Sequence, residues 1–544
     1  MKSPPHPEMM HHILGKIETK GYIGSREIES ISSRLRIPSS LVYGFVSQFE
    51  ELPQETYRAR IRVCTGPACA GAGAWAILKD LQESVPSGVE VLSEPGILRC
   101  HRSPAVCIEI PGDVVRLVEG LVPEDISALV ASLEKGGISP YRPMNLQPQG
   151  IEALPGYELT PWSTEAQGDN LPGGWGPDLI QKASDRLGEI RSWIAASVVS
   201  GESRDRKGVS PAVLVCDAVG AEPENSASFA VTLLRPRAVI AGAAIAAAAC
   251  GARRLIFYIP WNEMDAGDAL ENAAAELLSG VGIRHSICRG PVHVPCAMDI
   301  GRAAVINGMM LWSAAALYGC GGTLDGDPSL AVLDAESAWR LPWLMDERIA
   351  GEEARKSRLR CFAGLDGMPR LVEIPPGMGL ETVLDGLGLN GGGGTAKAVY
   401  AGGTTAATVS LQGHLHGPPG RAEEIVLLDA LTCMPRWALY LAWHAERACC
   451  GGCIPGRTAP AAAARLIQDI LRAEAGETTL EDLGALLAEA GGLALCPRLR
   501  ETFGPILDCL REFGDEFEIH AKEGVCRAGS CAPAVDATTY GGER

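Results

Sequence analysis

Cys450 and Cys453, in the stretch RACCGGCIPGRTAP, form a Cys-x2-Cys pair, with Cys449 beside the first of them. Cys64 and Cys69, in RVCTGPAC, form a Cys-x4-Cys pair, and Cys100 and Cys107 follow further on. Thiolates at such spacings hold soft metals: zinc takes four N or S ligands in a tetrahedron, and iron–sulfur clusters take thiolate sulfur at each iron. Cys450 and Cys453 could act with the distant Cys496 in either chemistry. The chain has 18 cysteines in all. In a large chain of intracellular character, clustered cysteines point to metal or redox sites rather than disulfides. Cys216, Cys250, Cys361, Cys433 and Cys509 stand singly and are expected to be small buried hydrophobes.

The elements that must position these loops follow from periodicity. Residues 8–50 are expected to form a small helical bundle, with Ser39 or Ser40 capping a helix in PSSLVYGFVSQF. The alternation in ARIRV predicts a strand running into the first cysteine loop, followed by the helix GAWAILKDLQESV. GVEVLS, a second cysteine loop and the strand AVCIEI complete a compact α/β unit, with Cys107 inside the last strand. Residues 136–175 are rich in Pro, Gly and polar side chains and are expected to form a linker. PAVLVCDA and ARRLIFYIP read as buried strands on either side of an alanine-rich helix, a βαβ pattern with a mainly parallel sheet. Residues 351–415 read strand, turn, strand, short helix, Gly-rich loop, strand, the order of a β-grasp module. Helices dominate from about 420 to 544.

Bulk properties set limits. A chain of 544 residues exceeds one hydrophobic core and predicts about three or four domains. Its formal net charge of −18 argues against a nucleic-acid partner, which needs a basic face, and suits a protein that docks onto other proteins. The N-terminal residues contain no continuous apolar h-region, and the run from Ala238 to Ala252 is shorter than the roughly 20 apolar residues that span a bilayer. That run is expected to be a buried helix packed closely through its small residues. The expectation is a cytoplasmic protein that is not itself membrane-spanning.

Taken in order, these pieces resemble two subunits of the NADH dehydrogenase module of respiratory complex I, fused in one chain. Residues 8–135 resemble its small thioredoxin-like [2Fe–2S] subunit through LRIPSSLVYGFVSQF, IRVCTGPAC and RCHRSPAV. Residues 155–535 resemble its large NADH- and FMN-binding flavoprotein subunit. The marks are VLVCDAVGAEPENS, ICRGPVHVPCAMDIGRAAVINGM, VYAGGTTAA, LLDALTCMPRW, CGGC and FGDEFEIHAKEGVCRAGSC. The same pair occurs in NAD-linked hydrogenases and formate dehydrogenases. The resemblance implies an α/β multidomain protein. Its parts would be a helical bundle with a thioredoxin-like ferredoxin domain (1–135), a linker (136–175) and a Rossmann-like flavoprotein domain (176–350). A β-grasp, SLBB-like domain (351–415) and a C-terminal helical iron–sulfur bundle (420–544) would follow.

The resemblance also assigns site residues. The [2Fe–2S]-type site would use Cys64, Cys69 and Cys100, with Gly96 at the remaining ligand position and Cys107 as a candidate substitute. The [4Fe–4S]-type site would use Cys450, Cys453 and Cys496, with Gly456 where the family has its third cysteine and Cys449 as a candidate substitute. Family context favours iron over zinc there, and Arg457 could offset cluster charge. The FMN and NADH site would involve Gly173, Gly174, Gly176, Glu222, Arg289, Gly290 and Asp299. Around them the family's polar and glycine positions have changed: Pro172, Trp175, Val219, Gly220, Val292, Val294 and Met298 stand there instead, and the family's Asn pair is Leu333 and Asp334. Flavin binding needs several convergent donors, so these changes compound.

The sequence therefore predicts a degenerate paralogue of the electron-input module that keeps [4Fe–4S] and [2Fe–2S] as candidate cofactors and disfavours FMN and NADH. It would serve as an electron relay or docking subunit beside other subunits of a redox complex. The alternatives are an active NAD(P)H diaphorase and a cofactor-free structural subunit. The tail pair Cys526 and Cys531 resembles the family's tail and is expected to have a structural or surface role.

Overall fold

The computed structural model describes residues 22–46, 58–65, 73–94, 104–110, 116–134, 151–159, 213–218, 227–252, 254–260, 264–290, 330–344, 358–363, 369–375, 377–389, 396–402, 407–410, 424–448, 454–494, 498–529 and 531, with Met9, His12, Ile13, Lys16, Cys69, Ser163 and Leu171 as isolated positions.

Two helices open the described chain, α1 (Ser25–Leu35) and α2 (Ser39–Val46). An α/β unit follows, made of β1 (Ala59–Cys64), α3 (Ala74–Ser84), β2 (Val89–Glu94), β3 (Ala105–Glu109), β4 (Arg116–Glu119) and α4 (Pro123–Glu134). Its strands lie in the order β2-β1-β3-β4. β1 and β2 are parallel, because the connection through α3 returns the chain to the starting edge, whereas β3 and β4 are antiparallel neighbours. Ala74, Ile77, Leu78 and Leu81 recur at helical spacing and bury the inner face of α3 against the sheet. Arg62 on the central strand is buried, and its guanidinium donates to Glu109 at 2.9 Å and Glu94 at 3.2 Å. Pairing of that kind is what makes a buried guanidinium tolerable.

The second unit is a parallel sheet, ordered β8-β7-β6-β9, from β6 (Val213–Asp217), β7 (Arg254–Pro260), β8 (Arg284–Gly290) and β9 (Leu330–Asp334). Helices α5 (Ala227–Leu234), α6 (Pro236–Cys250), α7 (Met264–Leu277) and α8 (Ala335–Leu344) accompany it. The expected alanine-rich helix is α6. Pro236 starts it, where a missing N–H costs nothing, and Gly251 stops it in the left-handed conformation. Its alanines are almost wholly buried, and a β-carbon placed on Gly242 would fall 1.7 Å from the carbonyl oxygen of Ala338 on α8. The small residues thus set how closely two helices approach. α5 and α6 meet at a bend of 111°, and among the described residues no single helix is long and apolar enough to cross a membrane.

The third unit is a six-stranded mixed sheet, ordered β13-β12-β14-β10-β11-β5. It comprises β5 (Glu152–Ala153), β10 (Arg358–Ala363), β11 (Pro369–Ile374), β12 (Ala396–Ala401), β13 (Ala407–Ser410) and β14 (Glu424–Asp429), with the short helix α9 (Leu380–Gly386). Two of its strands come from segments expected to do something else. β5 lies in the expected linker and pairs with β11, held by Arg370 donating to Glu152 at 2.6 Å. β14 lies in the segment expected to be helical, yet it is an interior strand between β12 and β10. Its run EIVLLD is buried through Leu428, the continuous apolar pattern of a strand covered on both faces.

The last unit is a helical bundle: α10 (Met434–Ala448), α11 (Ile454–Leu471), α12 (Thr479–Leu493) and α13 (Arg498–Glu512), followed by α14 (Gly514–Glu523). Trp437, Leu441, Ile467, Leu487, Phe503, Ile506 and Phe517 share its core. The bundle is joined to the third unit by polar ties. Lys397 on β12 pairs with Glu516 on α14, and the Thr408 amide on β13 donates to Asp508 on α13 at 3.2 Å.

Candidate functional site

Short connections make successive bundle helices antiparallel. The helix ends at Ala448 and Ile454 and those at Leu493 and Arg498 therefore lie at one end of the bundle. In the sequence Cys450 and Cys453 fall between the first two of these ends and Cys496 between the other two. Cys449, Cys450, Cys453 and Cys496 themselves lie outside the described residues. Gly456 is described: it is buried within the first turn of α11, one residue before the exposed Arg457.

At the first cysteine site, Cys64 ends β1 and Cys69 lies just beyond it, both buried. Cys100 and Gly96 lie outside the described residues. Cys107 sits in β3, paired across the sheet with Arg62, and burial pushes its thiol well up, with Glu109 adding to the effect. Among the described residues one group of three or more metal-type ligands gathers within 4.8 Å, and it does not contain Cys107, Cys64 or Cys69. Cys107 is thus a thiol buried in the core of a strand.

At the parallel sheet, neighbouring strands continue on opposite sides of β6, so the switch in topology falls between β6 and β9. In open α/β sheets ligands enter the crevice outside the carboxyl ends of the strands at such a switch. Asp217 ends β6, Asp334 ends β9, and the two stand in register on adjacent strands. Asp217 is buried. The Asp334 carboxylate accepts the Ser337 amide at 2.7 Å and so caps α8. Burial pushes its pKa up, the neighbouring Glu336 pushes it the same way, and the Ser337 bonds pull it down. Leu333, at the other member of the altered Asn pair, is buried in the core. Two carboxylates and a buried leucine therefore stand at the carboxyl ends of β6 and β9. Arg289 and Gly290 are the last two positions of β8. Gly173, Gly174, Gly176, Glu222, Asp299 and Trp175 lie outside the described residues.

The gathered group is Cys433, His520, Cys526 and Cys531. Cys433 directly precedes α10, and His520 lies on α14. Gly524 ends α14 with φ 65°, and a turn closed by the Gly529 amide on the Cys526 carbonyl at 3.0 Å folds the chain back to Cys531. Cys433 Sγ lies 3.3 Å from His520 Nε2 and 3.5 Å from Cys531 Sγ, and Cys531 Sγ lies 4.0 Å from the same imidazole nitrogen. Cys433 and His520 are buried; the tail cysteines are half-buried. The hydrogen bond shared with Cys433, then those from His520 and Cys526, hold the Cys531 thiol down at about 4, while the same contact holds the proton on Cys433. His520 is raised, chiefly by its bond to Cys531. Sequence reasoning assigns Cys433 a bland core role and the tail pair a structural or surface one. His-x5-Cys-x4-Cys is the legible signal of a chelating turn, but its fourth member lies 87 residues before His520.

The fold is thus mixed α/β and ends in a helical bundle. A family profile described as "NADH-ubiquinone oxidoreductase-F iron-sulfur binding region" matches residues 436–520, which include Cys450, Cys453 and Cys496. Over more than half its length the chain is similar to the F subunit of NADH-quinone oxidoreductases. It is 22% identical to that protein from Rhodobacter capsulatus over 62% of this chain and 89% of the relative. It is 24% identical to the F 2 subunit of NADH-quinone oxidoreductase from Rhizobium meliloti (strain 1021), over 58% of this chain and 82% of the relative. The fold matches a chain of the NAD+-reducing [NiFe]-hydrogenase crystal structure in the air-oxidized state, with a TM-score of 0.72 at 17% identity, covering 95% of this chain and 94% of that one. The H2-reduced state of the same enzyme gives 0.71 at 16% identity, covering 95% and 93%. The chain is thus similar to NADH dehydrogenase subunits, and its residues 436–520 match the iron–sulfur binding region of that family.

Proposed function

We propose that this chain is a degenerate electron-input subunit: it keeps the iron–sulfur scaffold and has lost hydride chemistry, and it serves as an electron relay or docking subunit in a cytoplasmic redox complex. The observation that carries this is the pair Asp217 and Asp334 at the switch-point crevice. A dianionic flavin would meet two acidic side chains in a medium of low dielectric, where like charges repel strongly. One of those carboxylates is already committed to a helix cap. The order β2-β1-β3-β4 with β3 antiparallel supports a thioredoxin-like reading of the first unit, and the mixed sheet around α9 supports a β-grasp reading of the third.

Cys450, Cys453 and Cys496 would hold a [4Fe–4S]-type cluster, and Cys64, Cys69 and Cys100 a [2Fe–2S]-type one. Such groups supply one-electron transfer when bound. The chain's own part would be the helical bundle, whose apolar core fixes the helix ends that flank the first set in sequence. Partner subunits of a hydrogenase-, formate dehydrogenase- or complex I-like assembly would supply and receive the electrons.

The second reading, an active NAD(P)H diaphorase, draws on the similarity to the NADH-quinone oxidoreductase relative over 62% of the chain. One experiment separates the two. Protein purified anaerobically is assayed for iron, sulfide and flavin, and its EPR spectrum is recorded after dithionite. Cluster iron with sulfide, without flavin, is the expected result. Bound FMN bleached by NADH would restore the diaphorase. Neither iron nor flavin would leave a structural subunit.

A further inference from the structure

We propose that Cys433, His520, Cys526 and Cys531 bind one zinc-class divalent ion in a closed tetrahedral site that fastens the tail of the chain to the start of α10. The site is separate from both cysteine sites described above. α10 is 15 residues long, so about 22 Å of helix lies between Cys433 and the Cys450 loop.

The distances select the nuclearity. Zinc bonds of about 2.3 Å to sulfur and 2.0–2.1 Å to nitrogen place tetrahedral ligand atoms roughly 3.5–3.8 Å apart. The observed separations of 3.3, 3.5 and 4.0 Å bracket that edge, and all four ligand atoms lie within 4.8 Å of one another. A two-iron or four-iron cluster spreads its protein ligands over several metal ions and needs a wider cage. Three thiolates and one imidazole are a common structural zinc set. With all four positions taken by protein, no place is open for substrate, which makes the role structural.

The surroundings suit bound thiolates. Backbone amides are aimed at sulfur: Arg436 N–H hydrogen-bonds Cys433, and Cys531 N–H hydrogen-bonds Cys526. Cys433 stands at the amino end of a helix, where the dipole favours negative charge. Three thiolates around a divalent ion leave one net negative charge, and the Arg436 side chain lies close enough to act on Cys531. Beside the site, Glu516 on α14 accepts the Met434 amide at 3.3 Å, so α14 is already held against α10 there. The metal extends that tie through the turn after Gly524 to Cys531. No electron transfer is involved, because zinc is redox-inert.

The test uses the full-length protein, expressed with zinc and separately with cobalt in the medium, and measures metals by mass spectrometry alongside iron. The expected result is one zinc per chain in addition to any iron. Cobalt in its place should show the strong visible bands of tetrahedral thiolate coordination. Cys526→Ser and Cys531→Ser should each lower zinc occupancy at least tenfold, while Cys450→Ala and Cys453→Ala should leave it unchanged and affect iron alone. Since a tail variant could fail to fold, wild-type protein is also digested with trypsin before and after zinc removal by chelator. Cleavage after the exposed Arg527 should speed up at least tenfold when the ion is removed. Wild-type protein with no metal other than iron would overturn the proposal, as would zinc lost with Cys450→Ala or a cobalt spectrum of octahedral type. The flavin assay above can fail without touching these results.

Discussion

The guanidinium carbon of Arg436 lies 5.4 Å from the centre of the Trp75 ring. Trp75 is on α3, the helix after the first cysteine loop, and Arg436 is on α10, the helix before the second. One cation–π contact therefore joins the units that carry the two cysteine pairs, three residues from Cys433. Such contacts are worth about 0.5–2 kcal/mol, depending on desolvation. A double-mutant cycle with Trp75→Ala and Arg436→Ala, followed by urea denaturation, should return a coupling in that range. A coupling of zero would mean that the two units do not meet there in solution.

Gly242 and Gly484 should respond in opposite directions to alanine. A β-carbon at Gly242 meets the Ala338 carbonyl oxygen, a backbone atom that no side-chain change can retract. Gly242→Ala should lower stability by about 1–3 kcal/mol by forcing α6 and α8 apart. Gly484, inside α12, has nothing within 4 Å of its added β-carbon. Gly484→Ala should raise stability by about 0.5–1 kcal/mol through helix propensity. Thermal or urea unfolding of the two variants decides it.

Glu336 anchors a buried charge network. It lies 3.6 Å from Arg340 and 3.9 Å from Arg358, and it accepts the Leu359 amide at 3.0 Å, tying α8 to β10. Burial is the largest influence on its carboxyl and would raise it, but Arg358, Arg340 and Arg360 together hold it below its ordinary value. Glu336→Gln takes this carboxylate away from the buried Arg340 and should cost about 3–5 kcal/mol at pH 7. A carboxyl depressed in the folded state contributes stability above its unfolded value, near 4.3, and loses that contribution as pH falls through the folded value. The gap between wild type and Glu336→Gln should therefore be full at pH 7 and narrow below about pH 4.3. Urea midpoints across that range measure it.

Cys107 should be dispensable for metal. It is a buried strand residue whose thiol is held protonated by burial. Cys107→Val, a swap of similar volume and suited to a strand, should leave iron and sulfide content unchanged and should fold. Loss of iron in this variant alone would give Cys107 a ligand role.

Much of this was legible in the residues because it is local. The alternation in ARIRV, the apolar run of LIFYI and the small-residue character of PRAVIAGAAIAAAAC announce β1, β7 and α6, since strand and helix periods depend on near neighbours. Two strands were hidden for the converse reason. Glu152 and Ala153 are a strand only because β11 offers an open edge, and EIVLLD fits a buried strand or a buried helix equally well until its partners are known.

The sequence by itself determined the order of the units, the cysteine pairs and the resemblance to an electron-input module, because motifs and periodicities are carried by residues near one another. The tertiary structure alone decided which distant groups meet. It set Asp217 beside Asp334, since strand order and register follow from the packing of the whole sheet. It also brought Cys433 within 3.5 Å of Cys531, 98 residues away, because α14 and its turn fold back across the start of α10. A ligand set is a fact of space, and a lone cysteine in sequence does not reveal which elements will close around it.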